Sequence, residues 1–101
     1  MGHVRRIGPV TQIPFGEGRV FEVGAVRMAI FRTRAGEVFA TQAECPHRGG
    51  PLADGLLDTA SIVCPLHDRA FDLRTGQGPD CKIVTYPVHV QDGEIVLLEN
   101  A

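Results

Sequence analysis

Glycine and proline interrupt this chain too often for a helix to run: 12 Gly and 7 Pro fall within 101 residues. No window keeps the apolar spacing of a helix for more than about one turn. Short β-branched or alternating runs fill the gaps between the breakers, which predicts strands. Val20-Phe21-Glu22-Val23 is one such run. Val26 to Arg32 alternates, with Val26, Met28 and Ile30 on one face. Glu37 to Thr41 follows a turn at Ala35-Gly36, so these two runs predict a hairpin. Ser61 to Cys64 and Ala70 to Leu73 are short strands, the second closed by Thr75-Gly76. Ile83 to Val90 and Glu94 to Leu98 flank Gln91-Asp92-Gly93, and Asp-Gly is a strong hairpin signal because both turn residues need φ > 0. Pro87 inside the first of these runs predicts an edge strand or a bulge. Many short strands at regular spacing predict an all-β fold, small antiparallel sheets forming a barrel or sandwich.

Length leaves room for a single domain, residues 1–101. A dinucleotide-binding unit with a substrate domain does not fit, nor does a large cofactor enzyme. Ten basic and twelve acidic side chains give a net charge of −2. Nucleic-acid binding wants a basic stripe, so no nucleic-acid partner is expected. No run approaches the ~18 apolar residues of a membrane span, so no membrane partner is expected either. Met1-Gly2-His3-Val4-Arg5-Arg6 leads into no apolar stretch of a signal peptide, and the expected location is the cytoplasm. His3 reads as a disordered tail residue, and Arg5-Arg6 as a charged N-terminal segment.

Residues 42–58 break the strand pattern and read as a long loop, the kind that in compact domains usually carries function. They hold Cys45-Pro46-His47, and after sixteen intervening residues comes Cys64-Pro65-Leu66-His67. Two thiols and two imidazoles make four ligands, delivered as one Cys and one His per turn. Proline after each Cys fixes φ and stiffens the turn. A single zinc accepts such a set in a tetrahedron. A [2Fe-2S] cluster accepts it too, with two Cys on one iron and two His on the other. Zinc fingers more often pair like ligands, whereas a mixed pair in each turn lets each loop reach both irons.

Cys45-Pro46-His47-Arg48-Gly49-Gly50-Pro51-Leu52 and Cys64-Pro65-Leu66-His67-Asp68-Arg69-Ala70-Phe71-Asp72-Leu73-Arg74-Thr75-Gly76 resemble the two cluster-binding boxes of the Rieske [2Fe-2S] family, and the resemblance runs from about Val4 to Leu98. It implies three small antiparallel sheets with a cluster-binding subdomain of two loops, about 42–58 and 64–80. It implies cluster ligation by Cys45, His47, Cys64 and His67, and a third, proline-containing loop at Gly78-Pro79-Asp80. High-potential members carry a disulfide between the boxes; its positions here are Gly50 and Leu66. They also carry Ser and Tyr hydroxyls that bond the sulfurs; those positions here are Arg69 and Phe71. Fewer hydrogen bonds to sulfur imply a potential near the low end of the Rieske range, about −150 mV. Asp68, in place of a more usual glycine, implies a slightly lower value still.

A mononuclear iron site of two histidines and a carboxylate has no counterpart: beyond His47 and His67 only His3 and His89 remain. No catalytic residues are therefore assigned, and the chain reads as a component rather than a complete enzyme. The resemblance implies a one-electron carrier, the small subunit of an NAD(P)H-dependent nitrite reductase or a soluble ferredoxin. The alternative is the ferredoxin component of an aromatic-ring-hydroxylating dioxygenase or related oxygenase. A zinc-stabilised interaction module is the rival of another class. The implied partners are a flavin-containing reductase and a terminal reductase or oxygenase, docking near His47 and His67. Arg48 and Arg69 either dock an acidic partner or are solvated. Cys81 reads as a small apolar filler, and His89 as a surface residue on a strand.

Overall fold

The computed structural model describes residues 2–46, 49–66 and 69–100. Its strands are β1 (Gly2–Pro9), β2 (Glu17–Val23), β3 (Val26–Arg32), β4 (Val38–Gln42), β5 (Leu56–Asp58), β6 (Ser61–Val63), β7 (Ala70–Asp72), β8 (Thr85–Tyr86), β9 (Val88–Gln91) and β10 (Glu94–Asn100). They form three antiparallel sheets: β1-β10-β9, β2-β3-β4-β8 and β5-β6-β7. The all-β expectation holds, with three small sheets as the resemblance implied.

β3 joins the halves of the molecule. Successive side chains of a strand point to opposite faces, and here both faces are covered. Met28 and Ile30 enter one apolar cluster with Val10, Ile13, Val23, Val38, Ala40, Ile95 and Leu97. Ala29 and Phe31 enter a second with Cys45, Leu52, Ile62, Cys64, Phe71, Leu73 and Ile83. Residues 28–31 are therefore all buried, while Val26, expected on the same face as Met28, is exposed at the strand's start.

The turns follow their residues. Asp92 and Gly93 both take positive φ, +53° and +77°, and close β9 onto β10 as Asp-Gly predicts. β3 and β4 pair antiparallel as the expected hairpin. Pro87 does more than mark an edge. It divides the expected strand 83–90 into β8, which pairs with β4, and β9, which pairs with β10. Proline has no N–H to give a ladder, so the chain changes sheets there, and the Pro87 carbonyl accepts from the Leu98 N–H at 2.9 Å.

Two expectations are corrected. His3 is not a tail residue: it lies in β1 opposite Glu99, and the charged segment Arg5-Arg6 lies in the same strand, with Arg5 opposite Leu97. Arg6 is also held by the Glu94 carboxylate at 2.9 Å. Residues 42–58 are not one long loop either. Leu52 is fully buried within a 3-10 turn, Leu52–Asp54, and the chain then pairs as β5 against β6.

Removing a fully buried side chain from β3 costs the lost transfer energy and leaves a cavity. Ile30→Ala should cost about 2–5 kcal/mol and Phe31→Ala about 3–5 kcal/mol. Because Phe31 shares its cluster with both box cysteines and Ile30 does not, only Phe31→Ala should also lower iron retention at temperatures where the chain stays folded. Thermal melts alongside iron-to-protein ratios check both effects.

Candidate metal centre

The two boxes are built alike. The first is closed by an antiparallel bridge between Glu44 and Pro51, the second by the pairing of Val63 with Ala70. In each, the cysteine comes directly after the closing residue. In each, its N–H bonds the carbonyl five residues on: Cys45 to Gly50 at 2.7 Å and Cys64 to Arg69 at 3.0 Å. The first loop is tightened further by the Gly49 N–H on the Cys45 carbonyl at 2.9 Å, where Gly49 has φ +68°. A left-handed residue with no Cβ suits that turn.

The frame buries the sulfurs and exposes the tips. Cys45 and Cys64 are 2% and 3% exposed and lie in one apolar cluster. Pro46, Pro65 and Leu66, which follow them, are exposed. No disulfide is present among the described residues. A buried thiolate in apolar surroundings is costly without a cation beside it, whereas a metal binds the deprotonated thiol directly. Two buried, uncross-linked cysteines on matching loops fit the cysteine half of a Cys2His2 cluster site. His47 and His67, with Arg48 and Asp68, lie outside the described residues. Among the described residues, accordingly, no group of three His, Cys, Asp or Glu comes together.

The loops touch where the disulfide of high-potential relatives was expected to be missing. A Cβ built on Gly50 would stand 2.9 Å from Leu66 Cγ and 3.1 Å from Cys64 Sγ. Leu66 thus packs against the Gly50 backbone, an apolar contact in place of a covalent one.

The third loop is a turn closed by the Gly78 N–H on the Cys81 carbonyl at 2.8 Å, with Gln77 bridged to Lys82. It lies on Phe71: a Cβ at Gly78 would approach the ring to 2.6 Å. Phe71 is fully buried and brings no hydroxyl. Arg69 is not simply solvated: its guanidinium forms an ion pair with Asp80 of the third loop. Cys81 is half-buried and packs against the second core cluster, as a filler should. Burial pushes its thiol pKa up, as does the Asp80 carboxylate. His89 is exposed on β9, opposite Val96. Sequence reasoning missed the Arg69–Asp80 pair: two opposite charges eleven residues apart carry no local signal, and only the fold brings them together.

The family model for the Rieske [2Fe-2S] domain matches residues 3–98. The 3-phenylpropionate/cinnamic acid dioxygenase ferredoxin subunit of Escherichia coli K12 is 35% identical over 94 residues, covering 88% of this chain and 87% of that protein. The structure of a Sphingomonas yanoikuyae B1 ferredoxin is 31% identical with a TM-score of 0.83, over 98% of this chain and 100% of that one. A Mycobacterium tuberculosis structure described as an NADH-dependent nitrite reductase small subunit has a TM-score of 0.88 over 100% of this chain and 98% of that one. At 21% identity its likeness speaks for the fold alone.

The Gly50–Leu66 contact predicts that Gly50→Cys with Leu66→Cys will form a disulfide on oxidation, since the two side chains meet at bonding range. The cross-link should raise stability by roughly 3 kcal/mol for a loop of this length. Peptide mapping under non-reducing conditions and thermal melts check it.

Proposed function

The chain belongs to the Rieske [2Fe-2S] domain family, whose cofactor is a Rieske-type [2Fe-2S] cluster, and from that premise we propose how its residues hold the cluster and which system it serves. It is a one-electron carrier of the Rieske ferredoxin type. When bound, the cluster supplies one-electron redox chemistry. Cys45 and Cys64 would hold one iron, and His47 and His67 the other, so the ligand set expected from the sequence is retained as the proposal. The observation that carries it is the matching register of the two loops, each burying its cysteine one position after the closing pair. The loops keep water from the sulfurs through Leu52, Phe71 and Ile83 of the second core cluster. The exposed Pro46, Pro65 and Leu66 leave the tips open to a partner, and the proposed docking face is therefore the edge near His47 and His67.

The proposed role is the ferredoxin component of an oxygenase system, taking electrons from a flavin-containing reductase. The 35% identity with a dioxygenase ferredoxin subunit over most of both chains supports it. The small-subunit role in a nitrite reductase, named first from the sequence, is the second reading; the shared fold is compatible with it. The proposal treats residues 1–101 as a single domain and places the carrier in the cytoplasm; among the described residues, no helix is long and apolar enough to cross a membrane.

The test is spectroscopic first. Dithionite-reduced protein should give a rhombic EPR signal with an average g value below that of all-cysteine [2Fe-2S] centres. A colourless, EPR-silent protein holding zinc would overturn the cluster reading. With a phenylalanine at 71 and Arg69 engaged elsewhere, neither side chain offers a hydroxyl to sulfur, so the midpoint should fall near −150 mV by roughly the family's lower bound. His47→Cys or His67→Cys should lower it further or lose the cluster, because an anionic ligand replaces a neutral one; an unchanged potential would count against the ligand assignment. Mixing the reduced carrier with a ring-hydroxylating oxygenase and with a nitrite reductase large subunit separates the two roles: the true acceptor reoxidises it at a rate that supports turnover.

A further inference from the structure

We propose that the Arg69–Asp80 ion pair is a latch that holds the third loop closed across both boxes, making Arg69 and Asp80 positioning residues for cluster retention. The proposal rests on the cluster reading above. Arg69 is anchored at two ends. Its carbonyl accepts from the Cys64 N–H at 3.0 Å, which closes the second box, and its guanidinium holds the Asp80 carboxylate of the third loop. On its other side the third loop reaches the first box: Cys81, next to Asp80, packs against the cluster of buried residues that contains Cys45. Gly78 at the loop's other end lies flat on Phe71. One ion pair therefore adds a charged tie between the second box and the third loop, beside the apolar packing of all three segments and the Asp72 N–H on the Gln77 carbonyl, and no disulfide joins the boxes. The pair is open to screening by salt, since its side chains are 34% and 50% exposed and exposed pairs are screened.

A latch and a pair of independent point charges behave differently. Independent charges near a redox centre shift its potential in opposite directions, and their effects add. A latch fails in the same way whichever half is removed, and removing the second half adds nothing. Metal loss through local opening reports the open population.

The experiment measures bleaching of the visible absorbance of the holoprotein in excess chelator, for the parent, Arg69→Gln, Asp80→Asn, the double variant, Arg69→Lys and the charge-swapped Arg69→Asp/Asp80→Arg. Both single neutral variants should bleach faster, by up to about five-fold, the factor corresponding to the upper range for an exposed pair. The double variant should match either single, and Arg69→Lys and the swap should recover most of the parent's rate. Added NaCl should speed bleaching of the parent but leave Asp80→Asn unchanged. Thermal unfolding midpoints should fall by no more than about 4–8 °C, the shift that a five-fold change corresponds to in a domain of this size; a larger fall would mark a general loss of stability instead of a latch. Parent-like bleaching in both single variants, additive effects in the double variant, or no rescue by the swap would overturn the latch. The parent's own EPR signal tests the cluster reading independently: if it is absent, that reading fails, and if it is present while the variants bleach like the parent, only the latch fails.

Discussion

Cys45 and Cys64 are core residues before they are anything else. Each is almost wholly buried, in one apolar cluster with Phe31, Leu52, Ile62 and Phe71. That placement ties the site to the fold. A loop that only hung from the sheets would be free to vary its geometry, but here the first residue of each box is packed like a small hydrophobe and fixed by its own N–H to a carbonyl five residues ahead. The sulfurs are thus positioned by burial and backbone hydrogen bonding together, while the residues that follow them reach solvent. One short segment satisfies two opposing needs of an electron carrier, a dry centre and an open edge.

The division of labour among the sheets follows from β3. Its two buried faces let one strand serve both hydrophobic clusters, so that β1, β9 and β10 brace one side while β5, β6 and β7 carry the loops on the other. Pro87 completes the arrangement by moving the chain from the central sheet to the terminal one without an intervening loop. Because the same strand supports both sides, disturbance of the second cluster is felt by the site directly, and disturbance of the first only through overall stability.

The features legible in the sequence were those with local chemistry. Asp92-Gly93 and Gly36 announced their turns, alternation marked β3, and the Cys-Pro pairs marked the boxes. β1 was missed because an edge strand needs no apolar alternation: it carries Arg5 and Arg6, and its pairing with β10 slips in register between Arg6 and Gly8. β5 was missed because three residues beginning with an exposed Leu56 give no period to read. Among site residues, the cysteines were legible and the contacts between loops were not. Gly50 against Leu66 and Arg69 against Asp80 are tertiary facts, set by how the loops stack rather than by anything within either loop.

That difference bears on how the site is held together. In relatives with a disulfide between the boxes, a covalent bond fixes the spacing of the loops. Here Leu66 covers Gly50 by packing alone, and an apolar contact at a position left half exposed gains less than one fully buried. The remaining constraint comes from burial of the cysteines beneath and from charge at the rim. Burial answers to temperature and to core packing, and rim charge answers to ionic strength. A centre built this way keeps its sulfurs dry through the fold itself, while the closure of its third loop depends on the ionic surroundings in which the partner also docks.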